Sequence, residues 1–383
     1  MYDDSSSVNI MRGWGISCVY DNGKIIVNHS GWDSSVAYYT SVNMLDDTGK
    51  TIKQRIFRES GFVYAHSPGR ISLIKTLDNK YIDVGIKKIS TGTQYRSWGY
   101  MAKLDQNLDT LYTRYYRRSS WPLDSVWVSF VSVLQSPIDS SYYCLGLAQS
   151  TTSFIDSFLV AKYDKAGLFI WDKILSKSSD GWINGFWISD NIIFISGTKE
   201  QIWEPLLWIY IERNPYILKM DTSGNVLGTH IFTLKSMNGL MTFNKYDEKR
   251  NIFAGLSDTL LMPNPTSIQQ SITKMSVMIG MVDSQNRYLW KTVIRQDTMA
   301  LHAYRREHNP YFIGRTKDGG IICGGQRTDV NAFVGATEGY YGGWIMKLDS
   351  TGNILWDRMY YYPYNPALNR ITCPVFVRLI MAT

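Results

Sequence analysis

The densest run of chemistry-bearing residues in the chain is His302-Ala-Tyr-Arg305-Arg306-Glu307-His308, and two other stretches share its character. One holds Trp203, Glu204, Trp208, Tyr210, Glu212 and Arg213; the other holds Gln326, Arg327, Asp329, Asn331, Glu338, Tyr340 and Tyr341. Arg presents a forked, permanently charged set of donors that matches carboxylate and phosphate oxygens, and Trp and Tyr supply large contact area at low entropic cost. Such a mixture suits recognition of something planar, polar or anionic. Proton transfer is the other chemistry these types can do, but only if they converge within hydrogen-bond reach, which adjacency in sequence does not supply. The site expected is therefore a binding one, at Trp203, Trp208, Arg213, Arg305, Arg306, His308, Arg327, Asp329, Tyr340 and Tyr341. No catalytic residue is expected.

Standard reaction motifs are missing from the sequence: there is no GxSxG elbow, no Walker phosphate loop, no HExxH and no EF-hand loop. Four cysteines, with no CxxC or Cys/His ligand spacing, suggest neither a zinc site nor a disulfide scaffold. No metal or cofactor is expected. The net charge of +7 is spread over 383 residues with no Lys/Arg run longer than two, which argues against nucleic acid as a partner. A 44% hydrophobic, 19% charged composition excludes a disordered chain, and no apolar run reaches the ~18 residues of a membrane span, so membrane insertion is not expected. The start, Met1-Tyr-Asp-Asp-Ser-Ser-Ser, lacks the basic and apolar parts of a signal peptide.

What must position the candidate residues is a repeat. Gly343-Trp-Ile-Met-Lys-Leu-Asp-Ser-Thr-Gly-Asn-Ile-Leu-Trp-Asp-Arg358 reads as a strand, a tight turn and a second strand, and related copies place the turn Asp at 46, 105, 164, 221, 283 and 349. The spacing stays between 57 and 66 residues. A second hairpin precedes each of these, clearest at Tyr311 to Gly325 around the Asp318-Gly319 turn. Four period-2 strands per repeat, here named A to D, predict an all-β protein, a β-propeller of four-stranded antiparallel blades. The whole chain, 1–383, reads as one propeller domain with repeats at about 13–57, 58–116, 117–175, 176–233, 234–294 and 295–360. Residues 361–383 and 1–12 are expected to build a composite closing blade, which gives seven blades; six is the alternative. In that arrangement Cys18 and Cys373 occupy equivalent strand A positions in neighbouring blades, as either two buried thiols or a pair.

The Asp-Gly-Gly-Ile-Ile turn followed by Trp-Ile-Met-Lys-Leu-Asp-Ser-Thr-Gly-Asn-Ile-Leu-Trp resembles the propeller repeats of bacterial and archaeal surface and secreted proteins, and is similar to the quinoprotein-like (PQQ-like) repeat. The resemblance implies an extracellular or cell-surface setting. It does not imply the quinone: the repeated Trp position reads Lys53, Tyr112, Trp171, Gly228, Trp290 and Trp356, and the vicinal cysteine pair of the quinoprotein dehydrogenases is absent.

Most repeated residues read as scaffold. Trp171, Trp290 and Trp356 are expected in the core as wedges between blades, and Lys103, Lys162, Lys219 and Lys347, each two residues before a turn Asp, as partners of the turn. The near-ring Arg55, Arg114, Lys173, His230, Thr292 and Arg358 is expected to form a solvated outer rim. A/B and C/D turns, on one face, are short; B/C and D/A connections, on the other, are long, at 197–214, 257–273, 326–341, 58–70, 117–123 and 295–310. These are expected as loops on the working face, which also carries Tyr64, His66, Arg117, Arg118 and Trp121.

Function is expected to be a non-catalytic binding or adhesion module that presents this face to a glycan or a protein partner, with homo- or hetero-assembly open. The alternatives are a polysaccharide-active propeller enzyme, lyase or hydrolase, that uses the same face, and a structural component of a cell-surface or virion assembly.

Overall fold

The computed structural model describes residues 14–32, 38–57, 62–65, 71–90, 95–117, 126–150, 156–175, 180–204, 209–231, 239–260, 273–294, 304–331 and 339–361. Alternating apolar sequence forms antiparallel meanders throughout. The first is β1 (Trp14–Asp21), β2 (Lys24–Trp32), β3 (Tyr38–Leu45) and β4 (Thr51–Phe57). The second has strand A in two pieces, β5 (Phe62–Ala65) and β6 (Leu73–Lys75), which both pair with β7 (Tyr81–Ser90), followed by β8 (Tyr95–Leu104) and β9 (Thr110–Tyr116). The third is β10 (Val126–Gln135), β11 (Tyr142–Ser150), β12 (Asp156–Tyr163) and β13 (Phe169–Leu175), and a parallel bridge between Trp127 and Ser97 joins it to the second. The fourth is β14 (Asp180–Ser189), β15 (Ile192–Glu204), β16 (Ile209–Asp221) and β17 (Val226–Ile231). The fifth is β18 (Gly239–Lys245), β19 (Arg250–Leu260), β20 (Thr273–Asp283) and β21 (Tyr288–Ile294). The sixth is β22 (Tyr304–Arg315), β23 (Ile321–Asn331), β24 (Gly339–Leu348) and β25 (Ile354–Tyr361). The fold class is all-β, built from four-stranded antiparallel propeller blades. Two compact units carry them, one with β1–β13 and one with β14–β25. The proposed composite blade, residues 1–12 and 361–383, falls outside the described residues apart from Tyr361, the last residue of β25.

Inner strands are buried on both faces where blades of one unit stack on both sides: in β8, Tyr100 and Ala102 join the core shared with blade 1 and Met101 the core shared with blade 3, and all three are fully buried, whereas β17 is exposed at every position but its last. Within the first unit, the apolar contact between blades 1 and 2 is made by Val19, Ile26, Val42, Met44, Phe57, Leu73, Tyr81, Tyr100 and Leu104. Polar pins lie within it. The buried Asp83 carboxylate accepts from Asn28 Nδ2 at 2.6 Å and Tyr100 OH at 2.7 Å, and Asp21 accepts from Lys75 Nζ at 2.6 Å and Tyr81 OH at 2.7 Å. A buried carboxylate is tolerable when its lone pairs are met in this way.

The turn Asp recurs because its side chain builds the turn. In five copies one carboxylate oxygen accepts from the backbone N–H groups two and four residues on: at Thr48 and Lys50 for Asp46, Asn107 and Asp109 for Asp105, Ala166 and Leu168 for Asp164, Gln285 and Arg287 for Asp283, and Thr351 and Asn353 for Asp349, all at 2.8–3.0 Å. The residue three beyond the Asp takes positive φ, so Gly is favoured there: 78° at Gly167 and 91° at Gly352.

Two scaffold expectations need correction. Lys103, Lys162 and Lys347 do not bond the C/D turn two residues ahead, because they project beside strand B and reach the A/B turn of their own blade instead. Lys103 Nζ lies 2.9 Å from Asp78 Oδ2, Lys162 Nζ lies 3.1 Å from Asp139 Oδ2, and Lys347 pairs with Asp318. Burial alone would raise the Asp78 carboxyl, but hydrogen bonds from Thr76 and Lys103, with the Lys103 charge, outweigh it and bring the pKa down to about 2. The strand D aromatics are only partly buried: Trp290 packs against the core shared by blades 5 and 6, as a wedge between blades, without being enclosed by it. Trp290 and Tyr112 are half-buried lids over the C/D turn of the following blade: Trp290 Nε1 donates to Ser350 O at 3.1 Å, a Cβ on Gly352 would lie 2.5 Å from the Trp290 ring, and one on Gly167 would lie 2.6 Å from Tyr112. Trp356 is 38% exposed. Two members of the expected rim serve the same turns, since Arg114 Nε donates to Gly167 O at 3.2 Å and Thr292 Oγ1 to Gly352 O at 2.7 Å.

Candidate functional site

The B/C connections of the second unit are strand, not loop, over the parts of them that are described; residues 205–208, 261–272 and 332–338 lie outside the described residues. β15 and β16 extend to Glu204 and from Ile209, β19 and β20 to Leu260 and from Thr273, and β23 and β24 to Asn331 and from Gly339, while the segment 295–310 is strand β22 from Tyr304 onward. β15 and β16 reach 13 residues each, against 9 for β2. The ladder continues because each added residue pairs its backbone N–H and C=O with the neighbouring strand, which satisfies them whatever the side chains are. The charged and aromatic residue types of these segments disguised that continuation as loop.

Register places most of the candidate residues. Arg306 stands opposite Asp329, which stands opposite Tyr340, in one row across β22, β23 and β24; the adjacent row on the same face pairs His308 with Arg327. Five of the ten expected residues thus share one face at one end of a single sheet. Arg305, opposite Val330, and Tyr341, opposite Thr328, occupy the alternate register positions and belong to the other face. Arg213 pairs with Glu200, and Trp203 with Tyr210, in the blade 4 hairpin, where the register shifts between Glu200 and Ile202 and again between Ile202 and Trp203. Trp208 lies outside the described residues, as do His66, Arg118, Trp121, His302 and Cys373.

Sequence reading missed a Ser–His contact. Ser41 Oγ lies 3.0 Å from His29 Nδ1, and Asn43 Nδ2 lies 2.9 Å from the same nitrogen. The three residues face the same side of β2 and β3, since Ser41 is opposite His29 and Asn43 opposite Val27. A nucleophile and base need an approach path for substrate, and Ser41 and Asn43 are 0% and 1% exposed. The arrangement is a buried polar cluster between strands. Cys18, Cys144 and Cys323 are likewise buried thiols, and burial pushes the Cys144 and Cys323 thiols far up.

Also missed was a cavity of about 150 Å³ at the opposite, short-turn end of blades 4 and 5, lined by Phe194, Lys219, Lys245, Asn251 and Asn286 among others. One of its lining residues, Lys219, stands opposite Gly228, at a position that is aromatic in four of the other blades. Among the described residues no group of three or more His, Cys, Asp or Glu side chains is arranged to hold a metal ion.

No protein-family model matches the chain, and no curated protein matches it. Solved structures similar to it include Kuenenia stuttgartiensis hydrazine synthase, at TM-score 0.47 and 12% identity over 87% of this chain and 80% of that one. The Dos1 propeller matches at TM-score 0.44 and 12% identity, over 92% of this chain and 93% of that one. The β-propeller domain of the trilobed protease from Pyrococcus furiosus matches at TM-score 0.42 and 9% identity, over 93% of this chain and 98% of that one.

Proposed function

We propose that the protein is a non-catalytic binding module whose extended hairpins present a polar face to a glycan or protein partner that carries anionic groups. One observation carries the reading: the pairing of β22, β23 and β24 aligns Arg306, Asp329 and Tyr340 in a row, beside His308 and Arg327, on one sheet face. A sheet fixes the backbone spacing of such a row at the strand separation of ~4.8 Å, which lowers the entropic cost of binding. Arg–carboxylate and Arg–phosphate or sulfate pairing is the strongest chemistry that row can offer. The resemblance of the repeats to those of surface and secreted propellers, of the quinoprotein-like kind, supports a setting outside the cell.

The test is a glycan array together with pull-down from extracellular material, run on the wild-type chain and on the Arg305→Ala/Arg306→Ala variant. Loss of a saturable ligand in the variant, with an unchanged circular dichroism spectrum, is the expected result. A ligand bound equally well by both proteins places the working face elsewhere.

A further inference from the structure

Blades 4 and 5 depart from the other blades at three positions around Lys219 and Asn286, which line one cavity. In blades 2, 3 and 6 the strand C lysine is held from two sides. Across the C/D ladder it opposes an aromatic residue, as Lys103 does Tyr112, Lys162 does Trp171 and Lys347 does Trp356, and toward strand B it pairs with the A/B turn Asp. Blade 4 keeps the lysine and loses both partners. Lys219 opposes Gly228, where an added Cβ would meet nothing within 4 Å. Its A/B turn is shortened to Asp190-Asn191, both at positive φ, so no carboxylate stands where Asp78, Asp139 and Asp318 do. Blade 1 also has a two-residue A/B turn, at Asn22-Gly23, but there the strand C position is Met44 and no charge is left over. The Lys219 ammonium lies 5.7 Å from the centre of the Phe194 ring and makes no ion pair among the described residues.

The third departure is on blade 5. The turn position occupied by Gly167 and Gly352 in other blades is Asn286, with φ of 63°, 9% exposed, and its side chain makes no hydrogen bond among the described residues. Lys219, Asn286 and Asn251 therefore line a cavity of about 150 Å³ with unspent donors and acceptors, against an apolar wall that includes Phe194. Three carboxylates also line it, each beside a cation: Glu248 pairs with Lys245 at 2.9 Å, Asp247 with Arg250, and Asp190 lies 3.9 Å from Lys245. A cavity of ~150 Å³ is the size that accepts one bare six-membered ring, so a substituted ring seated there leaves part of its substituents at the mouth. An apolar wall with a few convergent polar groups is the usual make-up of a small-ligand site.

We infer that this cavity binds a single six-membered ring bearing a carboxylate, with the size and polarity of one uronic acid residue. Lys219 Nζ donates to the carboxylate, the Asn286 and Asn251 amides, donor and acceptor at once, match ring hydroxyls, and Phe194 meets the ring's C–H surface. The site lies at the short-turn end of the sheet, away from the hairpin row, and does not depend on the function proposed for that row.

The experiment is calorimetric titration of the full chain with D-glucuronate, D-glucose and acetate. Wild-type protein is expected to bind glucuronate saturably and glucose and acetate at least tenfold more weakly. Lys219→Gln is expected to lose about tenfold or more in affinity, the effect of removing one charge-assisted hydrogen bond. Gly228→Trp, which restores the aromatic found in blades 3, 5 and 6, is expected to fill the cavity and abolish binding; should it fail to fold, Lys219→Gln decides alone. Arg305→Ala/Arg306→Ala leaves glucuronate binding unchanged. The inference is overturned by an absence of saturable glucuronate binding in the millimolar range, by glucose or acetate binding as tightly, or by wild-type affinity in folded Lys219→Gln.

Discussion

Lys103→Met is a demanding test of how the blades are held, because the chain itself places methionine at the equivalent strand C position of blade 5, Met281, opposite Trp290. In blade 2 the lysine is 6% exposed and donates to Asp78 Oδ2 at 2.9 Å and to Tyr142 OH, across the junction with blade 3, at 2.9 Å. The substitution keeps most of the apolar stem but strands Tyr142, a fully buried phenol, at about 1–2 kcal/mol. It also removes a charge-assisted bond to Asp78. Because that carboxylate is 46% exposed, solvent screening limits this second loss to about 1 kcal/mol. The expected cost is thus about 2–3 kcal/mol at pH 7. Urea unfolding followed by tryptophan fluorescence measures it, and Tyr142→Phe in the Lys103→Met background should return about half, since it removes the stranded hydroxyl. The pH dependence has a defined sign. Asp78 is depressed from 3.8 to about 2, so its contribution is fully present above the unfolded value and is lost as pH falls through the folded one; the gap between wild type and Lys103→Met should narrow between pH 4 and 2. A cost under ~0.5 kcal/mol, or full additivity of the two substitutions, would refute the staple.

Gly352→Ala should destabilise by about 2 kcal/mol, because φ is +91° and the new Cβ would sit 2.5 Å from Trp290. Combining it with Trp290→Ala should cost less than the two singles added, and equality in the same urea assay would show that the ring does not rest on the glycine. Acid should weaken the whole fold. Burial pulls Asp139 upward, but hydrogen bonds from Ser141, Ser136 and Lys162 outweigh it; Asp318 is held low by Lys347 and Thr316, and Asp349 by Thr351 and Asn353. Depressed carboxyls stabilise above their unfolded pKa, so the urea midpoint should fall steadily below about pH 4, and a flat profile down to pH 2 would contradict these hydrogen bonds.

Blade architecture was legible because it is local. An Asx turn needs only an Asp, a small residue able to take positive φ and two backbone N–H groups within four positions, so its period shows in any one sequence. Lysine pairing was misread for a simple reason: Lys103 is two residues from Asp105 along the chain, but the strand pleat and the B/C ladder bring Asp78, 25 residues away, to its ammonium. The hairpin residues were identified by type yet not by geometry. Nothing in the composition of 326–341 distinguishes a charged loop from a charged strand, and only register separates Arg306, which joins the Asp329–Tyr340 row, from Arg305, which does not.

By itself the sequence determined the all-β class, the four-strand unit, the turn positions and the candidate residue types, since those follow from period, spacing and side-chain chemistry along one chain. Tertiary structure decided which residues meet. Cross-strand register set the face of each Arg and Tyr, and the stacking of blade 5 on blade 4 brought Phe194, Lys219, Asn251 and Asn286 around one cavity. A cavity is a property of two surfaces packed together, and no periodicity within either one encodes its volume.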